Sequence, residues 1–265
     1  MRETSHSDGT VGKAIDLLDE IAALGRPVRF SELLATTSHP KATLYRLMQT
    51  LTNLRLLAYD ERDHSYRPGL RLVRLAHAAW AQSSLAPIAR PHIDALSLKT
   101  GETVHLAQLD HAQVLYVDKR NAHRPIDMFS QAGKIGPSYC TGVGKAMLAH
   151  LDPQAREAAI SQQSFYRHTP NTLTTPEALR AELDDIRREG IAFDREEHEP
   201  KIICVAVPIL TDAGRTVGGL SITSSTERHD LDELARLAPE LQRTARAIGA
   251  EAQTWQFPET AQKAG

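Results

Sequence analysis

The chain has 265 residues, with 31 Lys and Arg against 33 Asp and Glu and 41% hydrophobic residues. This composition is that of an ordinary folded protein, and the length allows two domains with separate cores. Two cysteines, Cys140 and Cys204, are too few for a disulfide framework and form no C-x-x-C metal pattern. No apolar run approaches the roughly 20 residues of a membrane-spanning helix, and residues 1–10 lack an apolar signal core. We therefore expect a cytoplasmic protein with no membrane partner.

Charge is divided unevenly along the chain. Residues 1–75 contain 11 basic and 9 acidic groups, and the remainder contains 20 and 24. This asymmetry predicts a mildly basic N-terminal part and an acidic C-terminal part with a different task. The first nine residues are polar and the tail beyond Ala252 lacks a pattern, so both are predicted to be loose.

Residues 28–68 show the pattern of a winged helix-turn-helix. An amphipathic helix over 11–21 precedes them, Ser31 is suited to cap a short helix, and Pro40 is suited to the first turn of a second. The hairpin would pair residues 56–59 with residues 65–67 across a polar turn. The second helix has apolar residues at steps of three and four, which predicts one buried stripe: Leu44, Leu47, Met48, Leu51 and Leu54.

The part of the chain around this segment has a local excess of positive charge. From Arg26 to Arg74 there are nine Lys and Arg against four Asp and Glu. A helix pair with a leucine stripe is common in helical proteins, but the local excess of five positive charges favours a phosphate-facing surface. We predict double-stranded DNA as the partner, contacted by Arg29, Ser38, Pro40, Lys41, Thr43, Tyr45, Arg46, Arg62, His64 and Arg67.

The remaining elements predict an α/β domain after a helical connector. Helices are expected over 69–83 and 85–99, with a domain boundary near residue 80. After residue 102 the period changes to the alternation of strands, in adjacent pairs with helices between them, which indicates a largely antiparallel sheet. The later elements are strands over 103–109, 113–117, 202–210 and 217–223, and helices over 142–151, 176–189 (closed by Gly190) and 230–250.

A glycine-rich helix start at Gly142–Lys145 resembles a phosphate-binding loop but fails its pattern. Tyr139 stands where the first glycine is needed, and Ala146 stands where Ser or Thr would bind magnesium. A nucleotide site is therefore not expected. Two interpretations stay open: the free N–H groups of the helix start bind an anion, or the glycines only permit close packing.

The segment Asp194–His198 is acidic and leads into the apolar strand that carries Cys204. Such a run is usually a solvated loop. An enzyme in which His198 activates Cys204 as a nucleophile is the alternative, but apolar neighbours favour a cysteine that lines a core or pocket. We predict no catalytic residue, no metal site and no cofactor.

Several motifs, in order, resemble the IclR family of bacterial transcriptional regulators over residues 11–248. The first part holds G-K-A-I-D-L-L at 12–18, P-K-A-T-L-Y-R-L at 40–47 and S-Y-R-P-G at 65–69. The second part holds Y-C-T-G-V-G-K-A-M-L-A at 139–149, G-I-A-F-D-R-E-E-H at 190–198, I-C-V-A-V-P at 203–208 and L-S-I-T at 220–223. Each motif is weak alone, and their order and spacing make the resemblance specific.

The resemblance implies an α+β protein with an N-terminal winged helix-turn-helix (10–70), a linker helix (71–84) and a C-terminal GAF-like α/β effector-binding domain with a largely antiparallel sheet (85–252). It implies a homodimer or tetramer that binds operator DNA, here expected to be a repressor of a catabolic operon. The effector would be a small carboxylate, and the family's pocket falls on Gly142, Val143, Asp194, Cys204, Ser221 and Thr223.

The chain departs from the family pattern near this pocket. Lys201 replaces a glycine often found three residues before the pocket cysteine, which predicts a cation near the mouth of the pocket. Thr223 replaces a frequent serine and keeps the hydroxyl. Residues 129–136 are expected to form a flexible lid whose polar character favours a hydroxylated or sugar-derived acid.

Overall fold

A computed structural model describes residues 9–254 of the chain. The predictions for residues 1–8 and 255–265 lie outside this range. The chain divides into two compact units, with the division between Gln82 and Ser83. We call residues 9–82 the head and residues 83–254 the body.

The head is a winged helix-turn-helix, as its sequence predicts. Its strands form an antiparallel sheet in the order β1-β3-β2, in which Tyr59 lies opposite Tyr66 in the hairpin. The elements are α1 (Gly9–Ala23), β1 (Val28–Arg29), α2 (Phe30–Thr36), α3 (Lys41–Asn53), β2 (Leu57–Asp60), β3 (Ser65–Pro68) and α4 (Leu70–Ser83).

The predicted stripe of α3 forms the centre of the head core. Leu44, Leu47, Met48 and Leu51 are buried and pack in one cluster with side chains of α1 and α2. Leu54 was predicted to continue the stripe, but it is 45% exposed. The reason is that α3 ends at Asn53, so residue 54 no longer follows the helical period.

The predicted cap of α2 is wrong. Ser31 lies inside the helix, and Arg29 occupies the N-cap position because β1 leads directly into α2. The carboxylate of Glu32 accepts a hydrogen bond from the Arg29 backbone N–H at 3.0 Å, so an acidic side chain secures the helix start.

The body is built on a six-stranded antiparallel sheet in the order β6-β5-β4-β9-β8-β7. Helices α5 and α10 pack together and against β4, β8 and β9, while α6 packs on the sheet beside α7 and α8. The elements are α5 (Ala86–Thr100), β4 (Thr103–Asp110), β5 (Gln113–Arg120), β6 (Ile135–Pro137), α6 (Gly142–Ala149), α7 (Pro153–Ser161), α8 (Pro176–Glu189), β7 (Ala192–Arg195), β8 (Ile202–Leu210), β9 (Thr216–Ser225), α9 (Leu231–Ala235) and α10 (Ala238–Glu251).

Four details of the body differ from the sequence prediction. The last two residues of the predicted lid, 135 and 136, belong to the edge strand β6, which pairs with β5. The acidic run at 194 begins in β7, which pairs with β8, and α7 was not predicted. The helix predicted over 230–250 is divided into α9 and α10, because Pro239 in the first turn of α10 has no N–H to continue the earlier helix.

Within residues 9–254, no helix combines the length and apolar character required to cross a bilayer.

Gly190 closes α8 in the left-handed conformation, with φ of 72°, as predicted for a C-cap.

Candidate functional site

The exposed face of α3 carries the side chains predicted to contact DNA. Lys41 and Arg46 are exposed, Tyr45 is 55% exposed, and Thr43 is half-buried. The ring of Tyr45 packs edge-on against Phe30 at 6.2 Å between centroids, which fixes its direction relative to α2. Pro40 is the N-cap of α3, and Ser38 is exposed in the turn before it.

The wing carries the other predicted DNA contacts. Arg62, His64 and Arg67 are exposed, and the hydroxyl of Tyr59 lies 2.8 Å from Nδ1 of His64. Arg29 has a structural contact as well, since its Nε donates to the carbonyl of Asp63 at 3.1 Å.

Between residues 9 and 80 the structure describes one ion pair, Arg26–Glu32. The cations of α3 and the wing are therefore not neutralised by neighbouring carboxylates within that range. An unpaired cation keeps its charge available for a phosphate group, which is what a DNA-facing surface requires.

A cavity in the body brings together all six residues predicted for the effector pocket. Strand register explains the arrangement: Asp194 pairs with Cys204, Cys204 pairs with Thr223, and the next row places Ser221 opposite His105. Residues two apart on a strand face the same side. The cavity is lined by His105, Tyr116, Ser130, Thr141, Gly142, Val143, Asp194, His198, Glu199, Ile202, Cys204, Ser221 and Thr223.

The N-terminus of α6 forms one wall of the cavity. Thr141 is the N-cap, and its hydroxyl donates to the carbonyl of Pro137 at 2.7 Å instead of capping the helix. A side chain at Gly142 would place its Cβ 2.4 Å from Sγ of Cys204, so only glycine fits there. Both interpretations of the glycines therefore have support: the helix start packs closely on β8, and its first residues line a cavity.

Sequence reasoning missed the histidine at the centre of the opposite wall. His105 is 2% exposed, its Nε2 lies 2.8 Å from the hydroxyl of Ser130, and its Nδ1 lies 3.1 Å from the hydroxyl of Thr223. Burial, and next the charge of Lys119, lower the pKa of His105 to about 3, so the imidazole is neutral. The alternation of β4 could have indicated the side that His105 faces, but not its partners.

The segment at Phe129 and Ser130 closes the cavity. The N–H of Phe129 donates to Glu199 at 2.9 Å, and Nζ of Lys119 donates to the carbonyl of Ser130 at 2.9 Å. The ring of Phe129 contacts His198 edge-on at 5.2 Å. The cavity volume is about 30 Å³, which is room for little more than water.

A buried charge network lies beneath the cavity. Nζ of Lys145 is 2.5 Å from Glu197 and 3.0 Å from Glu182, and the Lys145 side chain is fully buried. Arg195 contacts the same carboxylate of Glu182 at 2.9 Å. Burial opposes the charge of Lys145, but the two glutamates raise its pKa above the ordinary value. The ion pairs hold the Lys145 ammonium group, so it is not available to bind a phosphate group as the lysine of a phosphate-binding loop does.

Asp194 is a buried carboxyl group and not part of a solvated loop. It is 6% exposed, and its Oδ1 accepts a hydrogen bond from the backbone N–H of Glu197 at 2.8 Å. Burial raises the pKa of Asp194 to about 7, and the charge of Glu197 acts in the same direction. Glu197 is itself 3% exposed, so the acidic run predicted as a loop has two buried members.

The cavity does not favour the alternative of a cysteine enzyme. Cys204 is 6% exposed, and burial, followed by the charge of Asp194, raises the pKa of its thiol. A nucleophilic cysteine needs the opposite shift, toward the thiolate. Among the described residues, no group of three His, Cys, Asp or Glu side chains could hold a metal ion.

Lys201 was predicted to place a cation near the mouth of the pocket, and this stays a prediction, since the residue directly precedes Ile202 of the lining. Its Nζ pairs with Glu227 at 2.7 Å, its side chain is 67% exposed, and it does not line the cavity. The backbone explains why a glycine would suit this position: Lys201 has φ of 65°, in the left-handed region.

A winged helix joined to a domain with an enclosed polar cavity defines a class of DNA-binding regulators that respond to small molecules. The profile described as IclR helix-turn-helix domain matches residues 10–61, and the profile described as bacterial transcriptional regulator IclR C-terminal matches residues 77–250. The chain belongs to the IclR family of bacterial transcriptional regulators.

Individual relatives agree with this assignment. The chain is 31% identical to the HTH-type transcriptional regulator KdgR of Escherichia coli over 94% of its own length and 95% of that protein. It is 30% identical to Thermotoga maritima IclR, with a TM-score of 0.77 over 92% of this chain and 98% of that one. An IclR homologue from Microbacterium hydrocarbonoxydans, crystallised with 4-hydroxybenzoate, shares the fold at 23% identity, with a TM-score of 0.79 over 93% and 100% of the two chains.

Proposed function

We propose that this chain is a repressor that binds an operator through its head and releases it when the body binds a small carboxylate. The observation that carries the proposal is the cavity, because strands distant in sequence bring the start of α6, Ser221 and Thr223 to one enclosed space. The N–H groups of the helix start and the two hydroxyls are donors suited to a carboxylate.

The cavity must enlarge to admit such a ligand. Its volume of about 30 Å³ has room for little more than water, and the contacts of Phe129 and Ser130 hold the neighbouring segment in place. We propose that this segment moves outward on binding. The relative crystallised with 4-hydroxybenzoate, an aromatic carboxylate, is consistent with this ligand class.

We further propose that the protein acts as a homodimer or tetramer in the cytoplasm and is not an enzyme. A two-fold arrangement of heads reads two half-sites at a spacing fixed by geometry, so a small change in spacing alters affinity. Its gene targets would be a catabolic operon. We propose domain limits of 10–70 for the winged helix-turn-helix, 71–84 for the linker helix and 85–252 for the effector-binding domain.

A direct test combines a ligand screen with DNA binding. Small organic acids are screened by thermal shift, since a ligand that binds only the folded state raises the melting temperature. Each acid that binds is then added to the protein on DNA selected from a random pool, and anisotropy measures release. The proposal requires one acid that does both, and a screen without stabilising acids would contradict it.

Arg46→Ala is expected to weaken binding to the selected DNA by about 1–3 kcal/mol if Arg46 contacts a base. The residue is exposed on α3, and the structure describes no ion pair that occupies it. Competition anisotropy against random DNA separates a base contact from a phosphate contact, which would weaken both DNAs equally. The matched control is Arg246→Ala, an exposed arginine of α10 in the body. Equal, unaltered binding by both variants would remove Arg46 from the interface.

Ser221→Ala is expected to abolish the effect of the ligand on DNA binding while the ligand-free affinity for DNA stays within about twofold. The hydroxyl lines the cavity in the body and lies far along the chain from α3, so it acts on DNA only through the ligand. The control is Ser224→Ala, on the same strand, whose hydroxyl contacts His229 at 3.0 Å and does not line the cavity. A full ligand response in Ser221→Ala would show that the site lies elsewhere.

A further inference from the structure

The cavity that we propose for a carboxylate already contains acidic groups and no basic side chain of Lys or Arg. Of the thirteen described residues that line it, Asp194 and Glu199 are acids, and the two histidines are His105, a neutral imidazole, and His198, whose Nδ1 lies 3.8 Å from Glu199. A ligand carboxylate would therefore enter an enclosed space that has no fixed positive side chain to balance it. This inference rests on the proposed function and concerns how the site accommodates the charge of its ligand.

Asp194 is the acid that lies deepest in this space. It is 6% exposed and pairs in register with Cys204, whose Sγ contacts the start of α6. Glu199 differs, because it is half-buried and its carboxylate already accepts the N–H of Phe129. A ligand held by the N–H groups of the α6 start would therefore share this buried space with the carboxyl group of Asp194.

The groups around Asp194 do not neutralise it. Lys145 is the nearest buried cation, but Glu197 and Glu182 share its charge at 2.5 and 3.0 Å. The fields from Lys145 and His198 lower the pKa of Asp194, whereas burial and the charge of Glu197 raise it. Titratable groups surround Asp194 from each packed element. They are His105 of β4, Tyr116 of β5, Cys140 before α6, Lys145 of α6, Glu182 of α8, Cys204 of β8, and Glu197, His198 and Glu199 of the loop after β7.

Two carboxylates that share one enclosed site cannot both remain ionised without a large repulsion. We propose that Asp194 takes up one proton from solvent when a monocarboxylate enters the cavity, and that it then binds the ligand as a neutral hydrogen-bond donor. The ligand carboxylate stays ionised and accepts the Asp194 O–H. The proton taken up balances the charge of the ligand, so the net charge of the site is the same before and after binding, and no covalent bond changes apart from the O–H bond formed at Asp194.

The ligand class follows from the same geometry. A monocarboxylate brings one charge, which one proton at Asp194 compensates, whereas a dicarboxylate brings a second charge that the described lining does not compensate. The neutral His105 and the hydroxyls of Ser130, Ser221 and Thr223 suit a hydroxyl or oxo group on the ligand. The structure therefore favours small hydroxy or oxo monocarboxylates.

The test is the pH dependence of binding to the full-length protein. Formate, acetate, glycolate and pyruvate are titrated by calorimetry between pH 6 and pH 9, a range in which all four remain ionised. Because burial raises the pKa of Asp194 to about 7, the dissociation constant should be level below pH 7 and should rise about tenfold per pH unit above it. Titration at pH 8 in buffers of different ionisation enthalpy should show uptake of about one proton per bound anion.

Two variants assign the proton. Asp194→Asn provides an N–H donor without titration, so its dissociation constant should stay level across this pH range. Glu199→Gln removes the other acid of the lining and should keep the tenfold slope. If Asp194→Asn keeps the tenfold slope, the proton goes to another group of the lining, Glu199 or His198, and the inference is overturned.

The outcomes separate this inference from the proposed function. An acid that binds with the same affinity from pH 6 to pH 9 overturns the proton uptake and leaves the carboxylate site in place. Succinate that binds as tightly as the monocarboxylates overturns the ligand class. Absence of binding by all of these acids at every pH overturns the carboxylate site and the proton uptake together.

Discussion

Lys145→Met is expected to lower the free energy of unfolding of the body by about 3–5 kcal/mol at pH 8. The side chain is fully buried and pairs with Glu197, whose own carboxylate is 4% exposed. Removal of the cation leaves a buried charge without compensation, which costs more than the pair itself contributes. Calorimetric unfolding of the purified protein measures the change.

The loss should depend on pH with a defined sign. Burial raises the pKa of Glu197, and Lys145 offsets part of that rise, so the variant raises the pKa further. Glu197 can then take up a proton as the pH falls, and the destabilisation should be smaller at pH 5 than at pH 8. Lys145→Met combined with Glu197→Gln should recover more than half of the loss.

A surface ion pair provides the control for this prediction. Nζ of Lys99 lies 2.7 Å from Glu240, but the Lys99 side chain is 62% exposed. Lys99→Met should change the stability by less than about 1 kcal/mol, because solvent screens such a pair. Equal effects of Lys99→Met and Lys145→Met would show that the buried network does not stabilise the body.

Asp194→Asn is expected to make the ligand-free protein more stable than the wild type, and more so at high pH. The fold raises the pKa of Asp194 to about 7, so folding favours the neutral carboxyl group. Its contribution to stability is complete below about pH 4 and is lost as the pH rises through 7. The advantage of the variant should therefore grow by about 2–3 kcal/mol between pH 5 and pH 8.

The measurement compares unfolding of the variant and the wild type at both pH values. Other titrating groups are common to the two proteins and largely cancel in the difference. The side-chain carbonyl of Asn can accept the Glu197 N–H, which now bonds to Oδ1 at 2.8 Å, so the substitution need not break the loop. A difference that stays constant from pH 5 to pH 8 would contradict the ionisation proposed for Asp194.

The sequence by itself determined the head almost completely. Helix period, the hairpin turn and the excess of Lys and Arg are local properties, and they predict α3, the wing and the exposed cations without knowledge of distant contacts. The errors at Ser31 and Leu54 concern only the ends of helices, where capping contacts decide the boundary. The contacts of individual side chains with DNA stay predictions.

In the body, local pattern predicted the main strands, and the family motifs supplied the residues of the pocket. Neither could predict β6 or the short strand β7, because each has few residues and depends on pairing with a partner strand. The division between α9 and α10 was missed although Pro239 was visible in the sequence.

Only the tertiary structure decided the chemistry of the cavity. The contact of His105 with Thr223 spans 118 residues, and that of Lys145 with Glu197 spans 52. No local period encodes such pairs, because strand register and the close approach of Gly142 to Cys204 create them. Burial then determines which groups stay charged. It makes His105 neutral and raises the pKa of Asp194, and the buried Lys145 stays charged in its ion pairs. The sequence alone contains no measure of burial.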